Sequence, residues 1–79
     1  MTASTIAALM SEMLEIDDMA LDDNFFEVGG NSMLALQLMT KLEQQSGAKV
    51  SLLDVVRAPT PNLLAPVIAA RSRTESTVN

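Results

Sequence analysis

The 79-residue chain has no cysteine, no histidine, no tryptophan and no tyrosine. Without cysteine there is no disulfide staple and no thiol, a composition that fits a reducing compartment. Without histidine there is no neutral-pH base to activate a serine, so chemistry on such a serine falls to another protein. Aromatics are reduced to Phe25 and Phe26, which leaves the 48% hydrophobic content to leucine, alanine and six methionines. That mixture points to packed helices rather than a sheet. Positive charge is scarce as well: five basic residues face ten acidic ones, a net charge of -5. This balance opposes nucleic-acid binding, favours solubility and suits protein partners that offer basic residues. No apolar run approaches a membrane span, and the N-terminus lacks the basic and long apolar regions of a signal peptide. A cytoplasmic monomer is the expectation. At this length the chain is one small domain, near the lower limit for a core without staples.

Residues 4–16 read as an amphipathic helix, because Ile6, Leu9, Met10, Met13 and Leu14 recur at the helical period. Ser4 or Thr5 is the expected cap, with Thr2 and Ser4 leaving the start open. Between Asp17 and Asn31 the period fails. Four aspartates, Asn24 and two glycines make this a long loop, with Leu21, Phe25, Phe26 and Val28 as apolar anchors. Asp17, Asp18, Asp22 and Asp23 lack the ligand spacing of a calcium loop, so a solvated acidic segment is expected and no metal site. Residues 32–46 give the clearest helix: Leu34, Ala35, Leu38, Met39 and Leu42 share one face, and Gly47 suits its C-cap. Residues 51–57 form a short third helix with Ser51 and Asp54 as a capping box. Ala58-Pro59 ends it. Thr60-Pro61 then opens a last helix to about Arg71, with Pro66 expected to kink it or delay its start. Residues 72–79 are polar and expected to fray as a flexible tail, leaving residues 4–71 as the folded domain.

Gly29-Gly30-Asn31-Ser32 is the most informative stretch. Two glycines permit a sharp turn, and a serine hydroxyl then sits where a helix begins. The first amides of that helix and its dipole favour a phosphate ester there. A serine ahead of a helix also serves as an ordinary N-cap, and a Gly-Gly pair alone is only a turn. Met33 and Leu36 lie away from the apolar stripe, on the wet face just after Ser32. Exposed apolar side chains so grouped mark a docking surface. Val55 and Val56 extend it on the third helix, with Lys41 and Arg57 as candidate rim charges.

The run Asp23-Asn24-Phe25-Phe26-Glu27-Val28-Gly29-Gly30-Asn31-Ser32-Met33-Leu34-Ala35-Leu36 resembles the D-x-F-F-E-x-G-G-x-S-x-x-A-x motif of peptidyl carrier domains. The Ala58-Pro59-Thr60 turn is similar to the family's approach to its last helix, and the resemblance covers Ile6 to Ala70. It implies an all-α, four-helix bundle of carrier-protein type, with a long loop between helices 1 and 2 and a short helix 3. It further implies attachment of 4'-phosphopantetheine, taken from coenzyme A, to Ser32, with Gly30 and Asn31 beside the cofactor. A phosphopantetheinyl transferase, an adenylating or acyl-loading enzyme, and downstream condensing or modifying enzymes are the implied partners, in nonribosomal peptide or polyketide biosynthesis. The chain itself is then a handle rather than a catalyst. Asn31 departs from the histidine frequent in peptidyl carriers and from the aspartate usual in fatty-acid carriers. The initial methionine and short polar ends suit a discrete protein. From another class, an unmodified helical adaptor docking through Met33 and Leu36 is the competing reading. A serine hydrolase is disfavoured by the missing histidine.

Overall fold

The computed structural model describes residues 1–72 with their side chains and the backbone through residue 78. Four helices follow one another: α1 Ala3–Leu14, α2 Ser32–Ser46, α3 Leu52–Arg57 and α4 Pro61–Val78. Among the described residues there is no strand. Ile6 and Met10 from α1, Leu38 and Leu42 from α2, Val55 from α3, and Leu64 and Ile68 from α4 are fully buried together. Burying each such side chain contributes about 1.5–3 kcal/mol, which is the main stabilising term available without disulfides.

Helix α1 starts earlier and ends earlier than its apolar period indicates. Thr2 is its N-cap, with the hydroxyl accepting from the Thr5 amide at 3.2 Å, so neither Ser4 nor Thr5 takes that role. The helix stops at Leu14 because Glu15 turns into the left-handed region at φ 55°. The Glu15 and Ile16 amides then donate to the Glu12 and Ser11 carbonyls, the pair of bonds that closes a Schellman terminus. Ser11 ties the departing loop back onto the helix: its hydroxyl donates to the Ala7 carbonyl at 2.8 Å and accepts from the Met19 amide at 3.0 Å.

The loop of residues 15–31 is internally packed and stitched to α4. Phe25 is fully buried, its amide donating to the Pro59 carbonyl at 2.8 Å. Half-buried Phe26 stands edge-on to it, with ring centroids 5.2 Å apart at 85°. Leu21, expected as an anchor, is exposed, and Met19 is buried in its place. The reason is backbone pairing. The Leu21 carbonyl accepts from the Asn62 amide at 3.0 Å, while the Asn62 side chain donates to Asp22 Oδ1 at 2.7 Å. Leu21 thus presents its main chain, not its side chain, to the protein.

Helix α3 carries the complete capping box between Ser51 and Asp54. Thr60 caps α4 through its hydroxyl, which accepts from the Leu63 amide at 3.1 Å, and Pro61 occupies the first helical position. Pro66 lies inside α4 without delaying its start. It removes only the bond that would reach the Asn62 carbonyl, on the exposed face, where solvent can satisfy it. The helix also passes Arg71, its expected end: Ser72 is helical and its hydroxyl donates to the Ser46 carbonyl at 3.3 Å. Beyond Ser72, the side chains of the expected tail lie outside the described residues.

Candidate functional site

The two glycines before α2 answer different physical demands. Gly29 has φ +127°, a region that L side chains rarely adopt, although a Cβ there would meet open space. Gly30 is outside the positive-φ region but has no room. A Cβ on it would strike the Phe25 ring and lie 2.6 Å from the Phe25 carbonyl oxygen. The close approach is held by the Gly30 amide, which donates to that same carbonyl at 2.9 Å. The buried ring of Phe25 therefore seats the turn that delivers the chain to α2.

Asn31, not Ser32, is the N-cap of α2. Its side-chain oxygen accepts from the Leu34 amide at 2.9 Å, and its carbonyl accepts from the Ala35 amide at 2.8 Å. Ser32 consequently occupies the first helical position, exposed, and no other described residue hydrogen-bonds its hydroxyl. The ordinary-cap reading of this serine is thereby removed. The amides of Ser32 and Met33 are also unpaired among the described residues, and the first turn of α2 contains no carboxylate. A free primary alcohol beside two free amides at a helix start is a fitting place for a phosphodiester. Gly30 and Asn31, expected beside the cofactor, flank Ser32, with the Gly30 amide and the Asn31 side-chain oxygen engaged in shaping the turn.

The wet face of α2 is apolar where the sequence placed it. Met33 is 71% exposed and Leu36 50% exposed, against fully buried Ala35 and Leu38. On α3, Val56 is exposed but Val55 is not: it points into the core with no accessible surface. Leu53 takes the place expected for Val55, because residues three apart share a helix face and Leu53 and Val56 emerge together. Lys41 and Arg57 are exposed.

A constellation missed by sequence reading lies on the far side of α3. Arg71 of α4 reaches Asp54 with both ends of its guanidinium fork, at 2.9 Å each, and also donates to the Lys49 carbonyl at 2.9 Å. The Ser51 amide and the Arg71 guanidinium, outweighing partial burial, hold the Asp54 carboxyl below its ordinary value of 3.8. Only the capping-box spacing was visible in the sequence; a partner seventeen residues away has no local signal. Among the described residues no cluster of three or more His, Cys, Asp or Glu is placed to hold a metal.

Residues 4–68 match the family model for the phosphopantetheine attachment site. Surfactin synthase subunit 1 of Bacillus subtilis (strain 168) is 36% identical over 64 residues, which cover 81% of this chain but 2% of that protein. A docking-domain complex of the Pax NRPS superposes with a TM-score of 0.87 at 27% identity, covering 92% of this chain and 70% of that one. BlmI, a type-II acyl carrier protein from Streptomyces verticillus involved in bleomycin biosynthesis, gives 0.80 at 25% identity, covering 86% and 82%. The match thus spans a small fraction of the large synthase and about four-fifths of the type-II acyl carrier protein. With the four-helix fold, and with the Gly-Gly turn and the exposed serine inside the matched residues, the chain belongs to the phosphopantetheine attachment-site family of carrier domains.

Proposed function

We propose that this chain is a peptidyl carrier, or thiolation, domain whose prosthetic arm is joined to Ser32, with residues 4–71 forming the working unit. The single observation that supports the position is the exposed Ser32 hydroxyl, left without a partner because Asn31 takes over capping. In the modifying step, the Ser32 oxygen gives up its proton and displaces 3',5'-ADP from coenzyme A, forming a phosphodiester with 4'-phosphopantetheine. No histidine exists in the chain to accept that proton. The transferase is therefore assigned the base. Once attached, the arm supplies a thiol that holds an aminoacyl or acyl group as a thioester.

The protein's own residues then do three things. Ser32 anchors, the Phe25-seated turn keeps that anchor in solvent, and the face of Met33, Leu36, Leu53 and Val56 meets visiting enzymes. Those visitors are the transferase, an adenylating or acyl-loading enzyme, and condensing or modifying enzymes, in a cytoplasmic assembly line of nonribosomal peptide or polyketide type. Tethering raises the effective concentration of cargo at each docked enzyme, while catalysis stays with the partners. An unmodified adaptor is not favoured, because it leaves the family match and the free hydroxyl without a purpose. Thiol titration tests the proposal directly, since the chain has no cysteine to give a background. Treatment with coenzyme A and a broad-specificity transferase, followed by desalting, should yield about one titratable thiol per chain, a stoichiometry that a single attachment site requires. A protein that stays thiol-free while a control carrier is modified would contradict it.

A further inference from the structure

We propose that Arg71 is a positioning residue that sets the pose of α3, and through it the α3 half of the partner-facing surface. Helix α3 has six residues, too few to hold an orientation by its own hydrogen bonds. Val55 is the one residue of α3 that is completely buried, and Leu52 is half-buried against the core. The remaining fastening is polar and converges on one carboxylate. Asp54 Oδ2 accepts from the Ser51 amide at 2.9 Å, and both Asp54 oxygens meet the Arg71 guanidinium. The third contact of Arg71, to the Lys49 carbonyl, fixes the strap between α2 and α3 just before the cap. One guanidinium therefore joins the distal part of α4 to the strap and to the first turn of α3.

The opposite face of α3 carries Leu53 and Val56, each about half exposed. A small rotation of so short a helix would sink one of them and lift the other. The pair itself is accessible, with Arg71 45% and Asp54 18% exposed, so its contribution to global stability is small. Its consequence is directional. Lysine cannot reproduce it, because a single ammonium lacks the fork that spans a carboxylate and a carbonyl together.

The functional half of this inference rests on the carrier reading; the geometric half does not. The test accordingly has two arms, run on the full chain with Arg71→Ala, Arg71→Lys and Asp54→Asn. In the first, amide chemical shifts and hydrogen exchange are recorded on the unmodified proteins. Arg71→Ala should displace the signals of residues 49–57 and speed their exchange, while the α2 signals and the melting temperature stay near wild type. In the second, the KM of each variant as substrate for a broad-specificity transferase is compared with kcat. Arg71→Ala should raise KM about three- to tenfold at unchanged kcat, the pattern of lost docking rather than lost chemistry. Arg71→Lys should restore only part of it, and Asp54→Asn with Arg71→Ala should add nothing to the larger single effect. Unchanged α3 signals overturn the positioning role. So does a loss in which KM stays fixed and kcat falls with the folded fraction. Failure of the wild type to be modified strikes the carrier reading instead, and leaves the exchange arm to decide the clamp.

Discussion

At the residue scale, the serine is defined by its neighbours more than by itself. Asn31 absorbs the capping duty, so Ser32 keeps its hydroxyl free at the first helical position. Gly29 and Gly30 bring the chain there by unlike means, one by backbone conformation and one by the absence of a side chain. Gly30→Ala is accordingly expected to cost about 1–3 kcal/mol, the penalty for forcing atoms into a filled site. Gly29→Ala should cost a similar amount, about 1–3 kcal/mol, through backbone strain alone. The two differ in a companion change: Phe25→Leu removes the ring but not the carbonyl oxygen that the new Cβ meets, so it should relieve the Gly30 variant in part and leave the Gly29 variant no better. Denaturant unfolding of wild type, the three single variants and the two doubles checks this. Glu15 offers the reverse case. Its left-handed conformation strains a side chain that glycine lacks, so Glu15→Gly should stabilise by up to about 1 kcal/mol. A lower denaturation midpoint would contradict that.

At the scale of elements, helices were legible wherever a local spacing or cap residue marks them, and illegible where an end has no such mark. The apolar stripe of α2, the Gly47 C-cap, the Ser51–Asp54 box and the Thr60-Pro61 start all follow from local spacing, and each is present. The stop of α1 at Leu14 was not legible, because a glutamate in the left-handed region carries no composition signal. Leu21 and Val55 show the same limit in two directions. Hydrophobicity alone assigned one to the core and the other to the surface, whereas long-range pairing with Asn62 turned Leu21 outward and helix phase turned Val55 inward. The Asp54 network also predicts a pH dependence for the α3–α4 contact. The carboxyl is held below 3.8, first by the Ser51 amide and then by Arg71. A carboxyl depressed in the folded state stabilises above its unfolded value, and that stability is lost as pH falls through the folded value. Wild type should therefore exceed Asp54→Asn in stability by a constant margin above roughly pH 5, and the margin should shrink as pH drops below the unfolded value. Acid titration of the melting temperatures reads this out. A margin independent of pH down to full protonation would count against the ion pair.

At the scale of the whole molecule, four helices bury one shared core and leave Ser32 and the apolar side chains of Met33, Leu36, Leu53 and Val56 at the surface. The family motif made the proposed anchor legible, because its glycines, phenylalanines and serine lie close together in sequence. The exposed apolar surface proposed for docking was half legible, since it combines α2 with a helix whose phase only the fold decides. Met33→Glu probes that surface without touching the anchor or the core. It should raise the KM of transferase and loading enzymes severalfold while stability stays within about 0.5 kcal/mol, the usual range for an exposed position. An unaltered KM would remove Met33 from the docking face.

The central claim, that Ser32 is the anchor, is tested most directly by intact mass spectrometry of wild type and Ser32→Ala after incubation with coenzyme A and a broad-specificity transferase. Wild type should gain the mass of one phosphopantetheine, whereas the alanine variant, equally folded by circular dichroism, should gain none. A Ser32→Ala protein that still acquires the group would contradict it.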